Sequence, residues 1–110
     1  MKTISIDIKN IDNTEALKSF DCMKILIENL IDNMNTYVIA FNNEKYDNDG
    51  LSLMYLLDKA LISIHTIPKN HLAVIDIFSN CGDLDVDDLL EIIFQFFNKN
   101  CIIEKNIRNR

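Results

Sequence analysis

The sequence predicts an α+β fold in which two helices pack on one face of an antiparallel β-sheet. Three observations lead there. Short segments with period-two alternation or continuous apolar character recur through the chain, two longer stretches repeat their apolar residues at helical spacing, and the strands are mostly sequential.

Ile4, Ile6 and Ile8 alternate with Thr3, Ser5, Asp7 and Lys9, the pattern of a strand with one buried face. Asn13-Thr14-Glu15 offers a helix cap. Leu17, Phe20, Met23, Leu26, Ile27, Leu30 and Ile31 then recur at helical spacing until Asn33 to Asn35 interrupt them, which predicts one helix with a core-facing stripe. Residues 37–41 predict a short strand, and the polar run 42–50 an exposed loop. Residues 51–57 and 61–66 predict two strands joined through Asp58 and Lys59, and 71–78 the next. Asp85 or Asp87 caps a second helix, with Leu89, Leu90, Ile92, Ile93, Phe96 and Phe97 inward and acidic residues suiting its N-terminal dipole. Residues 101–103 add a last strand. Several strands carry apolar residues on both alternating sets, so the sheet face away from the helices is expected to meet a second subunit.

A chain of 110 residues, 48% hydrophobic, suits one domain, and its small size makes self-assembly advantageous. Two Gly and one Pro leave no linker. A net charge of -6 argues against polymeric nucleic acid and anionic membrane as partners. The basic run 105–110 reads as a solvated end. With no long apolar run and no signal-like h-region in residues 1–9, a cytoplasmic location is expected. Three cysteines without a CxxC pair suggest reduced thiols, mostly in the core.

Gly50-Leu51-Ser52, then Ile62-Ser63-Ile64-His65-Thr66-Ile67-Pro68, then Ala73-Val74-Ile75-Asp76-Ile77-Phe78 form one constellation. It resembles the centre of the small prokaryotic S-adenosylmethionine decarboxylases, which carry Gly-x-Ser, then Glu-Ser-His and His-Thr-x-Pro-Glu, then Ala-x-x-Asp-x-Phe-Thr-Cys-Gly. The opening strand with Asp7 and the closing helix also fall where that family has them. The resemblance spans nearly the whole chain and implies a single decarboxylase-like sandwich over residues 1–110.

In the family a Glu-Ser bond breaks itself, and the serine becomes a pyruvoyl group that forms a Schiff base with the substrate amine. Counted back from His65-Thr66, those positions hold Lys59 and Ala60, and the following His position holds Leu61. Alanine has no hydroxyl to attack the preceding carbonyl. The resemblance thus implies no self-cleavage, no pyruvoyl and no cofactor. The family's proton-donating Cys position holds Asn80. Cys81 lies one residue later, and such a slip on a strand turns a side chain to the opposite face, so the acid role is not carried to it.

Ser52 and His65 match the residues of cofactor maturation and, with no maturation to perform, become the catalytic candidates. Tyr46 falls where the family stacks an aromatic on adenine, a face that suits a purine and a sulfonium alike. Lys69 replaces the Glu that accepts hydrogen bonds from the ribose hydroxyls. An ammonium donates instead, and it welcomes a phosphate on that ribose. Lys59, Asn80 and Glu44 complete the substrate-binding candidates. Each has a plainer reading, from a solvated lysine to a sheet-bonded histidine. Neither His65 nor His71 has a ligand partner at a recognisable spacing, so no metal is expected.

Two functions are implied by the resemblance and its departures. One is a pyruvoyl-independent lyase that cleaves S-adenosylmethionine, or a ribose-adenylated conjugate of it, to homoserine lactone and 5'-methylthioadenosine or its AMP conjugate. With the adenylated messenger of some type III CRISPR systems as substrate, it would be an antiviral signalling off switch. The other is an inactive paralogue that acts as a sensor of S-adenosylmethionine or a regulatory subunit. Either is expected to be a homo-oligomer, a dimer or trimer.

Overall fold

In the computed structural model, which describes residues 1–80, 84–97 and 100–109, the first alternation becomes strand β1 (Lys2–Lys9). Ile4, Ile6 and Ile8 are fully buried under the helices, and Thr3, Ser5 and Asp7 point to the other face. The predicted first helix is two. α1 (Thr14–Leu17) is capped by the Asn13 side chain, which accepts the Ala16 N–H at 3.2 Å. α2 (Phe20–Asn33) starts afresh at Ser19, whose hydroxyl accepts the Cys22 N–H at 3.2 Å. Leu17 and Phe20 keep helical spacing across the break, which hid it in the sequence.

The predicted loop 42–50 is corrected as well. Its first four residues continue β2 (Val38–Lys45), which carries a bulge between Val38 and Ala40 and pairs with β3 (Leu51–Leu57). At a sheet edge, polar side chains cost nothing, and the ladder to β3 satisfies half of the strand's backbone. Phe41 anchors it by stacking on Tyr55 with ring centroids 5.5 Å apart, beneath the Lys24 ammonium. Burial, with Glu28 adding to it, raises the pKa of the Tyr55 phenol.

β3 and β4 (Ala60–Ile67) form a hairpin whose turn residue Lys59 has φ 65°. A 3-10 turn, Pro68–Asn70, leads into β5 (Leu72–Ser79). Asp85 caps α3 (Val86–Phe97), accepting the Asp88 N–H at 3.2 Å. The basic end is corrected too. β6 (Ile102–Asn109) runs far past the predicted 101–103 and pairs antiparallel with β1 from Lys9↔Ile102 to Lys2↔Asn109. Arg110 and Cys81 lie outside the described residues.

The six strands form one antiparallel sheet, β2-β3-β4-β5-β1-β6, with the helices on one face as predicted. The open face mixes Met54, Leu56 and Phe78, each more than a third exposed, with Ser52, Ser63, His65 and Asp76. No helix among the described residues is long and apolar enough to cross a membrane.

Thr66 fastens α1 to this sheet. Its hydroxyl accepts the Leu51 N–H at 2.9 Å and donates to the Leu17 carbonyl at 2.7 Å, at 4% exposure. Thr66→Val keeps the shape and strands both backbone groups, at roughly 1–3 kcal/mol for each. Chemical denaturation should show a lower midpoint with an unchanged slope, and an unshifted midpoint would refute the clamp.

Candidate functional site

The turn between β2 and β3 builds the site. The Tyr46 N–H donates to the Gly50 carbonyl at 2.8 Å, and the Gly50 N–H donates to Asn48 Oδ1 at 3.0 Å. A Cβ at Gly50 would sit 2.7 Å from the Thr66 carbonyl oxygen, so only glycine lets the turn lie this close to β4. Tyr46 is thereby brought back over β3.

Ser52 and His65 are direct cross-strand partners, a separation at which short side chains meet. Ser52 Oγ is 2.8 Å from His65 Nδ1 and 2.9 Å from the Tyr46 hydroxyl. If the Nδ1 atom lacks a proton, Ser52 donates to it and accepts from Tyr46; with the other tautomer Ser52 accepts from Nδ1–H and its own proton is free for the Tyr46 oxygen. Either way the serine is held between two proton-carrying groups. Glu44 is the cross-strand neighbour of Ser52 on the other side. These residues, with Asn42, Asn43 and Met54, line a cavity of about 100 Å³ on the open face.

Lys69 lies in a neighbouring cavity of about 300 Å³, lined also by Lys18, Asn48, Asp49 and His71. The 46–50 turn contributes to both cavities. Lys59 and Asn80 are elsewhere. The Asn80 N–H donates to the Lys59 carbonyl at 2.9 Å, which places both at the turn end of the β3–β4 hairpin. Five register steps separate that end from Ser52 and His65, about 17 Å at the usual strand rise. The site therefore gathers Tyr46, Ser52, His65 and Glu44, with Lys69 next door. Sequence reasoning missed Asn42 and Met54, and reading 42–45 as a strand would have found Asn42, two residues from Glu44 on the same face. Among the described residues no three His, Cys, Asp or Glu side chains converge as a metal site.

The molecule is a two-layer α+β sandwich, an antiparallel sheet backed by helices with a polar hydrogen-bonded chain on its bare face. The family model for S-adenosylmethionine decarboxylase matches residues 2–109, and the chain belongs to that family. It is 28% identical over 78 residues to an S-adenosylmethionine decarboxylase proenzyme of Thermodesulfovibrio yellowstonii, which covers 71% of this chain and 56% of that protein. The chain thus matches little more than half the length of this curated relative. The crystal structure of the adenosylmethionine decarboxylase from Aquifex aeolicus superposes with a TM-score of 0.82, covering 99% of this chain and 88% of that one at 24% identity. That likeness concerns the fold.

Proposed function

We propose that this chain is a pyruvoyl-independent lyase acting on S-adenosylmethionine or a conjugate of it extended at the ribose. The observation that carries the reading is the intact Tyr46–Ser52–His65 chain in a protein whose residue 60 is alanine. A pyruvoyl group is made from a serine, and Ala60 offers only a methyl group, so no step runs through that cofactor.

In the reaction the substrate's own carboxylate attacks its γ-carbon. A C–O bond forms, the C–S bond breaks, and the electron pair stays on sulfur, which turns the sulfonium into a neutral thioether. The products are homoserine lactone and 5'-methylthioadenosine, or its nucleotide conjugate. The sulfonium is already a good leaving group, so the protein needs only to fold the methionyl chain and balance changing charge. Ser52 and His65 orient the carboxylate or amine, Glu44 faces the sulfonium, and Tyr46 offers a ring to the adenine. Lys69, one cavity away, is why a ribose extended by a phosphodiester is included.

A cavity of about 100 Å³ is too small to enclose such a ligand, since pockets for small molecules run to roughly 300–1,000 Å³. A second copy stacked on the open face would cover the ligand and bury Met54, Leu56 and Phe78. Antiparallel stacking would also bring one copy's Lys59 and Asn80 toward the other's Ser52 and His65, which one chain holds about 17 Å apart.

The test is incubation of the purified protein with S-adenosylmethionine and with its adenylated form, followed by mass spectrometry. Lactone and methylthioadenosine, or its conjugate, are the expected products. Intact ligand in both samples would remove the lyase, and saturable binding without turnover would then favour the sensor.

A further inference from the structure

The larger cavity beside the Tyr46–Ser52–His65 chain has a composition of its own. Lys18 follows α1, Lys69 sits in the 3-10 turn before β5, and His71 follows that turn; Thr14, Asn48 and Asp49 complete the polar lining. Two lysines and a histidine thus meet at one place in a chain whose net charge is -6. Lys45 approaches as well, its ammonium donating to the Lys18 carbonyl at 3.4 Å.

His71 is held in one orientation. Its Nδ1 lies 2.8 Å from the Ile11 carbonyl oxygen, and a carbonyl only accepts, so Nδ1 carries the proton and Nε2 of the neutral ring offers a lone pair. Its backbone has φ 53°, a left-handed conformation held by its N–H donating to the Pro68 carbonyl at 3.0 Å. Two carboxylates oppose an anion here. Asp49 lines the cavity, and Glu15 lies 3.3 Å from the Lys18 ammonium. That second pair is an exposed one, of the kind that contributes little, so Lys18 can turn to a stronger anion.

We infer that this cavity is a phosphate-binding subsite, its anion held by the Lys69 and Lys18 ammonium groups, with His71 lining the wall beside them. Donors arriving from separate segments suit a tetrahedral group with acceptor oxygens on every side better than a planar carboxylate. The subsite extends the proposed function by naming the chemistry of the group next to the nucleoside. Its evidence is the cavity itself, so the two readings are tested apart.

The experiment is amide chemical-shift mapping of the full ¹⁵N-labelled chain, titrated with inorganic phosphate, with potassium chloride at matched ionic strength, and separately with 5'-methylthioadenosine. Phosphate should shift the amides of Asp49, Lys69 and His71 saturably, and chloride should not. Lys69→Glu, at an exposed position, should weaken phosphate at least tenfold, and Asp49→Asn should tighten it. No saturable shift, an equal response to chloride, or unchanged affinity in Lys69→Glu would overturn the inference. Methylthioadenosine, which carries no phosphate, reports on Tyr46 and His65 and so decides the nucleoside reading by itself.

Discussion

Intact-mass measurement of the purified protein should give one uncut polypeptide of 12.7 kDa and no fragment that begins at position 60. The reason is a missing atom. Backbone self-cleavage of the decarboxylase type starts when a side-chain hydroxyl attacks the carbonyl before it and converts an amide into an ester. Ala60 has no side-chain nucleophile, and its partners across the sheet, Leu57 and Ser79, are attached to other peptide bonds. Without the ester there is no elimination and no keto-acyl end, so the expected effect is complete rather than partial. A downstream fragment with a keto-acyl cap would refute both this expectation and the proposed chemistry.

The second large effect is expected at His65. Substrate positioning to within about an ångström is worth on the order of 10²-fold in rate, and His65→Ala removes one end of the hydrogen-bonded chain that holds Ser52. Turnover in the proposed lyase reaction should fall by about that factor. Because His65 is half-buried on the open face, away from the helix-packed core, the unfolding midpoint should barely move. His65→Asn places an amide near the lost Nδ1 and should recover part of the rate. Full turnover in His65→Ala would remove the residue from the site; loss of rate only in step with loss of stability would make it structural.

Much of this arrangement was legible from simple periodicities. Ile4, Ile6 and Ile8 alternate because one face of β1 packs under helices, and α2 shows its stripe for the same reason. The pairing of Ser52 with His65 could be read from numbers alone, since the two are equidistant from the Asp58 and Lys59 turn. The edges were illegible. β2 and β6 each have one neighbour and stay largely exposed, so burial does not impose a hydrophobic alternation, and their Asn, Glu, Lys and Arg residues read as loop and tail. The helix break at Ser19 was masked because Leu17 and Phe20 sit three apart, as in an unbroken helix. The cavity of Lys69 escaped because Thr14 and Lys18 join it from some fifty residues upstream, a distance only tertiary structure closes.

The seam between β1 and β6 sets an order of events during synthesis. Residues 2–9 are made well before their neighbour on one side, residues 102–109, which lie at the far end of the sheet's chain order. Until then β1 can pair only with β5 and presents a bare edge to whatever else is nearby. Completing the sheet therefore waits until residues 102–109 have been made, about ninety residues after β1.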